Sequence, residues 1–361
     1  MAVKTVKYSN INLTPALTWN WLKMNRAALE SEVYESDGET AIEDLPDGVT
    51  LLEQTADSEV LTLKGGSGDE AQKLINELEP LEIHLKAAKD AKVKTPVIAH
   101  YTAQDKSTMC NLLTLVAEEN SDVTLIMDYA SVKDASGLCA IQTKVLAKPY
   151  SHVHIVKVQM LGKGFTHIDD LAIEQKDGAL VEVTQLELGS DKSYAGVQTV
   201  LSGYEAKFKS NTAYLTTGSQ LMDLNYSVIH TGEKTDCNMM VKGVVGDSAK
   251  KVYRGTINFK NGCHNATGNE QEETLLISPE AVNKSIPVIL CDEEEVSGTH
   301  GSTIGRLSDD ELFYMQSRGI SESAAKKIMS RAKVASIAHL VPDETTVNNI
   351  EAYIDGVFDH E

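Results

Sequence analysis

CDEEEVSGTHGSTIGRLSDDELFYMQSRGIS, from Cys291 to Ser321, runs an acidic strand end, a THG turn and a capped helix together without a spacer. A β-to-α junction is expected here. Ser308 is placed to cap the helix with its hydroxyl while Glu311, three residues on, reaches back, and Asp309 and Asp310 favour the positive end of the helix dipole. Arg318 falls in the last turn and Gly319 supplies the left-handed C′ position, after which Ser321 opens a second helix through AAKKIMSRA. From Asp343 onward, Val347, Ile350, Ile354 and Val357 form one apolar stripe, which predicts a third helix.

Upstream of this junction the pattern is different. From about Pro96, the runs DVTLIMDY, LCAIQTKVLA, HVHIVKVQML, ALVEVTQLEL, CNMMVKGVV and VYRGTINF show alternation or β-branched enrichment. No proline occurs between Pro149 and Pro279, which suits strand ladders in which every backbone N–H is needed. Glycines from Gly178 to Gly268 recur at intervals that suit repeated strand-turn units. Periodicity alone leaves a β-sandwich or barrel and a β-solenoid equally open.

Three segments carry a resemblance. HGSTIGRLSDDELFYMQSRGIS, from His300, resembles the C-terminal signature of the SufB/SufD family, the scaffold proteins of the SUF iron–sulfur cluster assembly machinery, and is nearer its SufD branch. TWNWLKMN, from Thr18 to Asn25, resembles the block near the start of SufD proteins, and DLNYSVIHTGEKTDCNMMVKGVVGD with YRGTINFKNG resembles the family's central core. The resemblance implies a mainly β fold, a right-handed parallel β-helix (β-solenoid) core with N-terminal and C-terminal α-helical regions. The expected divisions are an N-terminal helical region with an acidic segment over 1–92, a β-helix core over 93–306 and a C-terminal helical domain over 307–361. Inward positions should then form apolar ladders, and the terminal helices should cover the coil ends.

The resemblance also implies a function: a non-catalytic scaffold subunit that pairs with a SufB-type scaffold and presents its C-terminal helices to a SufC-type ABC ATPase. No cofactor would be permanently bound, and a transient iron–sulfur cluster would form at a subunit interface in a homo- or heterodimer. A homodimeric scaffold working alone is the alternative within the family. A β-solenoid carbohydrate-active enzyme is the alternative from another class.

Composition narrows the partners. The 361 residues carry a formal charge of -20, which argues against nonspecific binding to nucleic acid or anionic lipid. Between Arg26 and Lys64 no basic residue occurs while Glu30, Asp37, Glu43, Asp47, Asp57 and others accumulate, so a solvated, loosely ordered surface segment is expected. MAVKTVKYSN lacks an apolar core of signal-peptide length and no run is long enough to span a bilayer, so the expected location is cytoplasmic. Five cysteines, widely spread and without a CxxC pair, fit reduced thiols and give no support to a ferredoxin-like centre. In the front section, Leu17, Trp21, Met24 and Leu29 of ALTWNWLKMNRAALE lie at helical spacing after Pro15, and GGSGDEAQKLINELEP predicts a Gly-rich hinge and a short helix closed by Pro80.

His300 is the leading site candidate. Imidazole is a borderline ligand suited to iron, and the resemblance places this histidine near the interface with SufB. Gly298 stands where the SufD pattern often has cysteine, and Cys291 lies seven residues upstream, so support of a cluster site is expected rather than its ligation. His152 and His154 form an HxH pair that needs a third ligand, such as His167, to hold a metal. Cys263 and His264 share the turn NGCHNATG, and Asp169 and Asp170 are expected on a solvated loop. No GxxxxGK[ST] motif is present, so ATP hydrolysis would belong to a partner, which Leu312, Phe313, Met315, Arg318 and Gly319 would contact through an apolar helix surface. GxSxG and HExxH spacings are also absent.

Overall fold

The computed structural model describes residues 2–17 and 21–358. Thr18, Trp19 and Asn20 of the TWNWLKMN block lie outside the described residues.

Leu81 begins a parallel β-solenoid of eight coils, each contributing one strand to each of two sheets. The odd sheet contains β5 (Leu81–Ala87), β7 (Ser107–Ala117), β9 (Ser136–Ala147), β11 (Gly164–Gln175), β13 (Lys192–Leu201), β15 (Leu221–His230), β17 (Lys250–Phe259) and β19 (Val282–Cys291). The even sheet contains β6 (Val97–Ala103), β8 (Asp122–Ser131), β10 (His152–Gln159), β12 (Leu180–Glu187), β14 (Lys207–Thr216), β16 (Asp236–Val245), β18 (Thr267–Leu276) and β20 (Ser297–Arg306). In the even sheet Leu180 lies opposite Lys207, Lys207 opposite Asp236, Asp236 opposite Thr267 and Thr267 opposite Ser297. Parallel, in-register pairing stacks like positions into columns, so inward residues such as Leu125, Ile155, Val183, Phe208 and Leu224 form one continuous apolar core.

One corner of the first seven coils is built alike. Asp90, Asn120, Tyr150, Gly178, Glu205, Lys234 and Asn265 all adopt a left-handed backbone, with φ between 54 and 62°. Asn120, Tyr150, Gly178, Glu205 and Lys234 each donate their N–H to the carbonyl just before the next such corner, at 2.8 to 3.0 Å. The turn is thus held by the coil above it, which offsets the cost of left-handed backbone at residues with side chains.

The two ends and two outer faces are treated differently. β3 (Glu39–Ile42) pairs antiparallel with β6 and β4 (Val49–Leu52) pairs antiparallel with β5, so the acidic segment closes the first coil as ordered edge strands. The hairpin of β1 (Ala2–Ile11) and β2 (Ala27–Tyr34), with α1 (Glu59–Thr62) and α2 (Asp69–Glu77), lies on the outer face of the odd sheet, where Leu29, Leu74 and Ile75 pack on Leu138, Ile168 and Tyr194. The C-terminal α3 (Asp309–Ser317), α4 (Glu322–Ala338) and α5 (Glu344–Phe358) follow β20. Val334, Ile337, Ile350 and Ile354 of α4 and α5 pack on Val156, Leu186, Ala213 and Val244 of the even sheet. Burial of each such side chain contributes about 1.5–3 kcal/mol.

Several expectations are corrected here. The helix expected after Pro15 is replaced by turns and by β2, whose Ala27, Leu29, Ser31 and Val33 are buried at alternate positions. The front section is therefore mostly strand, with only the expected helix after the Gly-rich hinge forming as α2. The acidic segment is structured because its carbonyls and amides complete two sheet edges. The terminal helices flank the solenoid and do not cap it, since their apolar stripes match the outer apolar columns. THG is not a turn: Thr299, His300 and Gly301 lie within β20.

Candidate functional site

β20 is the last strand of the even sheet and every one of its residues is exposed. Its neighbour β18 buries Gly268, Glu270, Glu272 and Thr274, alternating with less buried residues. These inward positions pair with Gly298, His300, Ser302 and Ile304, which therefore belong to the inward columns at the open end of the solenoid. The Ser302 hydroxyl confirms the facing by donating to Glu272 Oε2 at 3.1 Å.

Below His300 the interior is polar. Glu270 is buried, and burial pushes its carboxyl up to about 7, against the pull of the Lys251 ammonium. Lys251 and Glu272 form an ion pair with both side chains buried, and the Lys251 Nζ lies 5.1 Å from the Tyr253 ring centre and 5.4 Å from that of Tyr214. The end of the solenoid thus offers an imidazole, two carboxyl groups and the amine of Lys251, which burial pushes well below the usual lysine range, but no thiol in the His300 strand. A β-carbon at Gly298 would lie 2.9 Å from Phe259 and 3.3 Å from Ile289, so a cysteine there requires those side chains to move. Cys291 ends β19 in the other sheet, exposed, with its thiol on the Glu293 carbonyl at 3.0 Å. It is not on the strand that carries His300.

The expected helix follows β20 directly. In α3, Glu311 N donates to Ser308 Oγ at 3.1 Å and Ser308 N donates to Glu311 Oε2 at 3.0 Å, the reciprocal pair of a capping box. Gly319, with φ of 86°, ends it after Arg318. No residue of α3 is buried: Phe313 is 73% and Tyr314 59% exposed, Leu312 and Met315 are half-buried, and the Arg318 guanidinium lies over the Tyr314 ring at 5.1 Å. Leu307, Tyr314, Met315 and Met329 line an apolar groove between α3 and α4.

The remaining candidates do not assemble with His300. His152 sits between Asp122 (3.2 Å) and Glu182 (2.9 Å), one carboxylate on each ring nitrogen, while His154 bonds Thr184 at 2.9 Å. That arrangement is an outer-face hydrogen-bond network in which both ring nitrogens of His152 are already engaged. His167 is inside the solenoid on β11, far from a role as their third ligand, and burial pushes its imidazole down to about 4. Asp169 and Asp170, expected on a loop, are both buried in the same strand: Asp169 pairs with Lys157 in the core, and Asp170 accepts from Ser67 N and Gln142 on the outer face. Cys263 is buried, and His264 meets Glu293 at 3.3 Å. Glu270, Glu272 and Lys251 were not singled out from sequence. The signal was present in TGNEQEETLL, a strand whose charged residues fall on both faces and so cannot have an apolar inner face.

A parallel β-solenoid with one closed and one open end, followed by an exposed capped helix, is the class that this geometry defines. A family model described as the SufBD core domain of SUF system FeS cluster assembly matches residues 100–333, and the chain belongs to this family. It is similar to the iron-sulfur cluster assembly protein SufD of Bacillus subtilis, 25% identical over 283 residues that cover 74% of this chain and 62% of that relative. An iron-sulfur cluster assembly SufBD family protein of Staphylococcus saprophyticus is 23% identical over 261 residues, covering 72% and 56% respectively. One of Mycobacterium tuberculosis is 22% identical over 232 residues, covering 63% and 27%. The matched part thus spans less than two thirds of the length of these relatives. Among the described residues no helix is long and apolar enough to cross a membrane.

Proposed function

We propose that this chain is a non-catalytic accessory scaffold of the SUF system, which pairs with a SufB-type scaffold through β20 and binds a SufC-type ABC ATPase through α3. The observation that carries this reading is β20 itself, exposed along its whole length at the open end of the solenoid. A strand edge with unpaired N–H and C=O groups is a template for another sheet, and the opposite end is closed by β3 and β4. In this reading His300 faces the partner, and the transient iron–sulfur cluster is cargo formed between subunits. Thiolates hold such clusters, and with Gly298 beside His300 the partner supplies them. No iron–sulfur cluster is permanently bound in this reading. Leu312, Phe313 and Met315, with Arg318 and Gly319 at the helix end, form the surface for the ATPase, which hydrolyses the ATP that this P-loop-free chain does not. A reducing compartment, the cytoplasm, suits its five unpaired cysteines.

Co-expression with a SufB-type scaffold and a SufC-type ATPase, followed by size-exclusion chromatography, tests the reading. A complex of all three is expected; Phe313→Asp should lose the ATPase and keep the scaffold, and His300→Ala should keep both and lower cluster yield in anaerobic reconstitution. Failure of the intact chain to bind either protein overturns the proposal. Homodimers that build a cluster unaided would replace it with the single-scaffold alternative.

A further inference from the structure

Midway along the solenoid, between β11 and β12, lies a cluster to which scaffolding assigns no task. His167, Asp169 and Glu187 project into the core with ligand atoms all within 4.8 Å of one another, and each side chain is at most 1% exposed. Two features separate this cluster from an ordinary buried ion pair. Among the described residues, Oδ2 of Asp169 has no hydrogen-bond partner and the ring nitrogens of His167 have no side-chain partner, the imidazole meeting the Cys139 backbone, although buried polar groups are normally satisfied. Glu187, by contrast, is held in place: it accepts from Gln185 at 2.8 Å, Ser193 at 2.8 Å and Gln159 at 3.2 Å. Lys157 occupies only Oδ1 of Asp169 and leaves Oδ2 without a hydrogen-bond partner among the described residues.

We infer that His167, Asp169 and Glu187 form a closed binding site for a divalent first-row transition cation inside the solenoid. The donors fit that class: one imidazole nitrogen with two carboxylates suits zinc, iron or manganese better than calcium, which prefers oxygen alone, or copper(I), which prefers sulfur. Bond lengths of about 2.0–2.2 Å put ligand atoms about 3–3.5 Å apart, so groups that now lie within 4.8 Å of one another draw together when the ion binds. The bonds from Gln159, Gln185 and Ser193 to Glu187, and from Lys157 to Asp169, are the outer contacts that orient metal-binding carboxylates. Because the cluster is sealed within the coils, the ion enters as the chain folds and stays until it unfolds.

The test uses the full chain, unfolded in denaturant with chelator, then refolded with either zinc or chelator. After gel filtration through chelator, elemental analysis of the zinc-refolded wild type should find a single retained ion, and its thermal midpoint should lie above that of the chelator-refolded chain. Cobalt in place of zinc should give a visible ligand-field spectrum. His167→Leu and Glu187→Gln should lose the ion, the spectrum and the midpoint difference, whereas His300→Ala should keep all three. Should His167→Leu fail to refold, Glu187→Gln and the wild-type comparison decide. Equal midpoints with and without zinc and no retained ion in the wild type overturn the inference, as does equal retention in wild type and both cluster variants.

Discussion

The guanidinium of Arg254 on β17 grips the carboxylate of Asp223 on β15 beneath the N-terminal segment, with both side chains buried. Arg254 Nε also donates to the Met24 carbonyl at 2.8 Å, and Asn12 donates its amide to Asp223 Oδ1 at 2.8 Å. The pair thereby joins two coils to the loop between β1 and β2. Removing one partner of a buried pair leaves the other charge uncompensated, at a cost of about 3–5 kcal/mol. Asp223→Ala should lose stability in that range by urea denaturation and expose the 9–26 segment to limited proteolysis. A change under about 1 kcal/mol would mean that Arg254 finds water in its place.

His230 supplies a pH dependence. It lies inside the last coils, bonded to Thr235 Oγ1 at 2.7 Å and near Cys237 Sγ at 3.3 Å, and burial pushes its imidazole from 6.5 down to about 4. The folded protein therefore binds fewer protons here than the unfolded chain between those two values, so stability is lost as pH falls through that window. The loss reaches on the order of 3 kcal/mol at its acid end. His230→Gln removes this titration, so the stability of wild type relative to the variant should fall between pH 7 and pH 5. A difference that is flat with pH would count against a neutral, buried His230.

Ile304 is 50% exposed at the open end of the solenoid, across the ladder from Thr274. A lysine on an edge strand opposes strand addition by another sheet. Ile304→Lys should leave the folded chain within about 0.5 kcal/mol of wild type, since the position is already in solvent. Association with a SufB-type scaffold, followed by sedimentation velocity, should be lost. Undiminished association would place the interface away from β20.

The solenoid was partly legible because most of its inner positions are apolar and its strands from His152 to Leu276 lack proline, but the corners that define the coil were hidden. Of the seven left-handed corner residues only Gly178 is a glycine; Tyr150, Glu205 and Lys234 occupy theirs because the next coil's carbonyl fixes the turn, a tertiary effect without local signature. The helical spacing of Leu17, Trp21 and Met24 is coincidental, and the alternation of Ala27, Leu29, Ser31 and Val33 carries the true period of this segment. His300 was found, but as a turn residue. An edge strand whose every residue is exposed needs no apolar pattern, so SGTHGSTIGR offers nothing that distinguishes strand from loop.

The helix α3 is held by its ends more than by its body. It has nine residues and buries none of them, and isolated helices of that length are marginal in water, so the Ser308–Glu311 capping box is its main local support. Ser308→Ala should cost about 1 kcal/mol of local helix stability. Global unfolding should not change, because the strands and the α4–α5 packing are untouched. Amide exchange over 309–317 should be fast in wild type, faster in the variant, and slowed in both when a SufC-type ATPase is added. If the ATPase binds only the formed helix, the variant's affinity should fall about fivefold, the factor that 1 kcal/mol confers. Exchange over 309–317 that stays fast in the presence of bound ATPase would place the contact on another element.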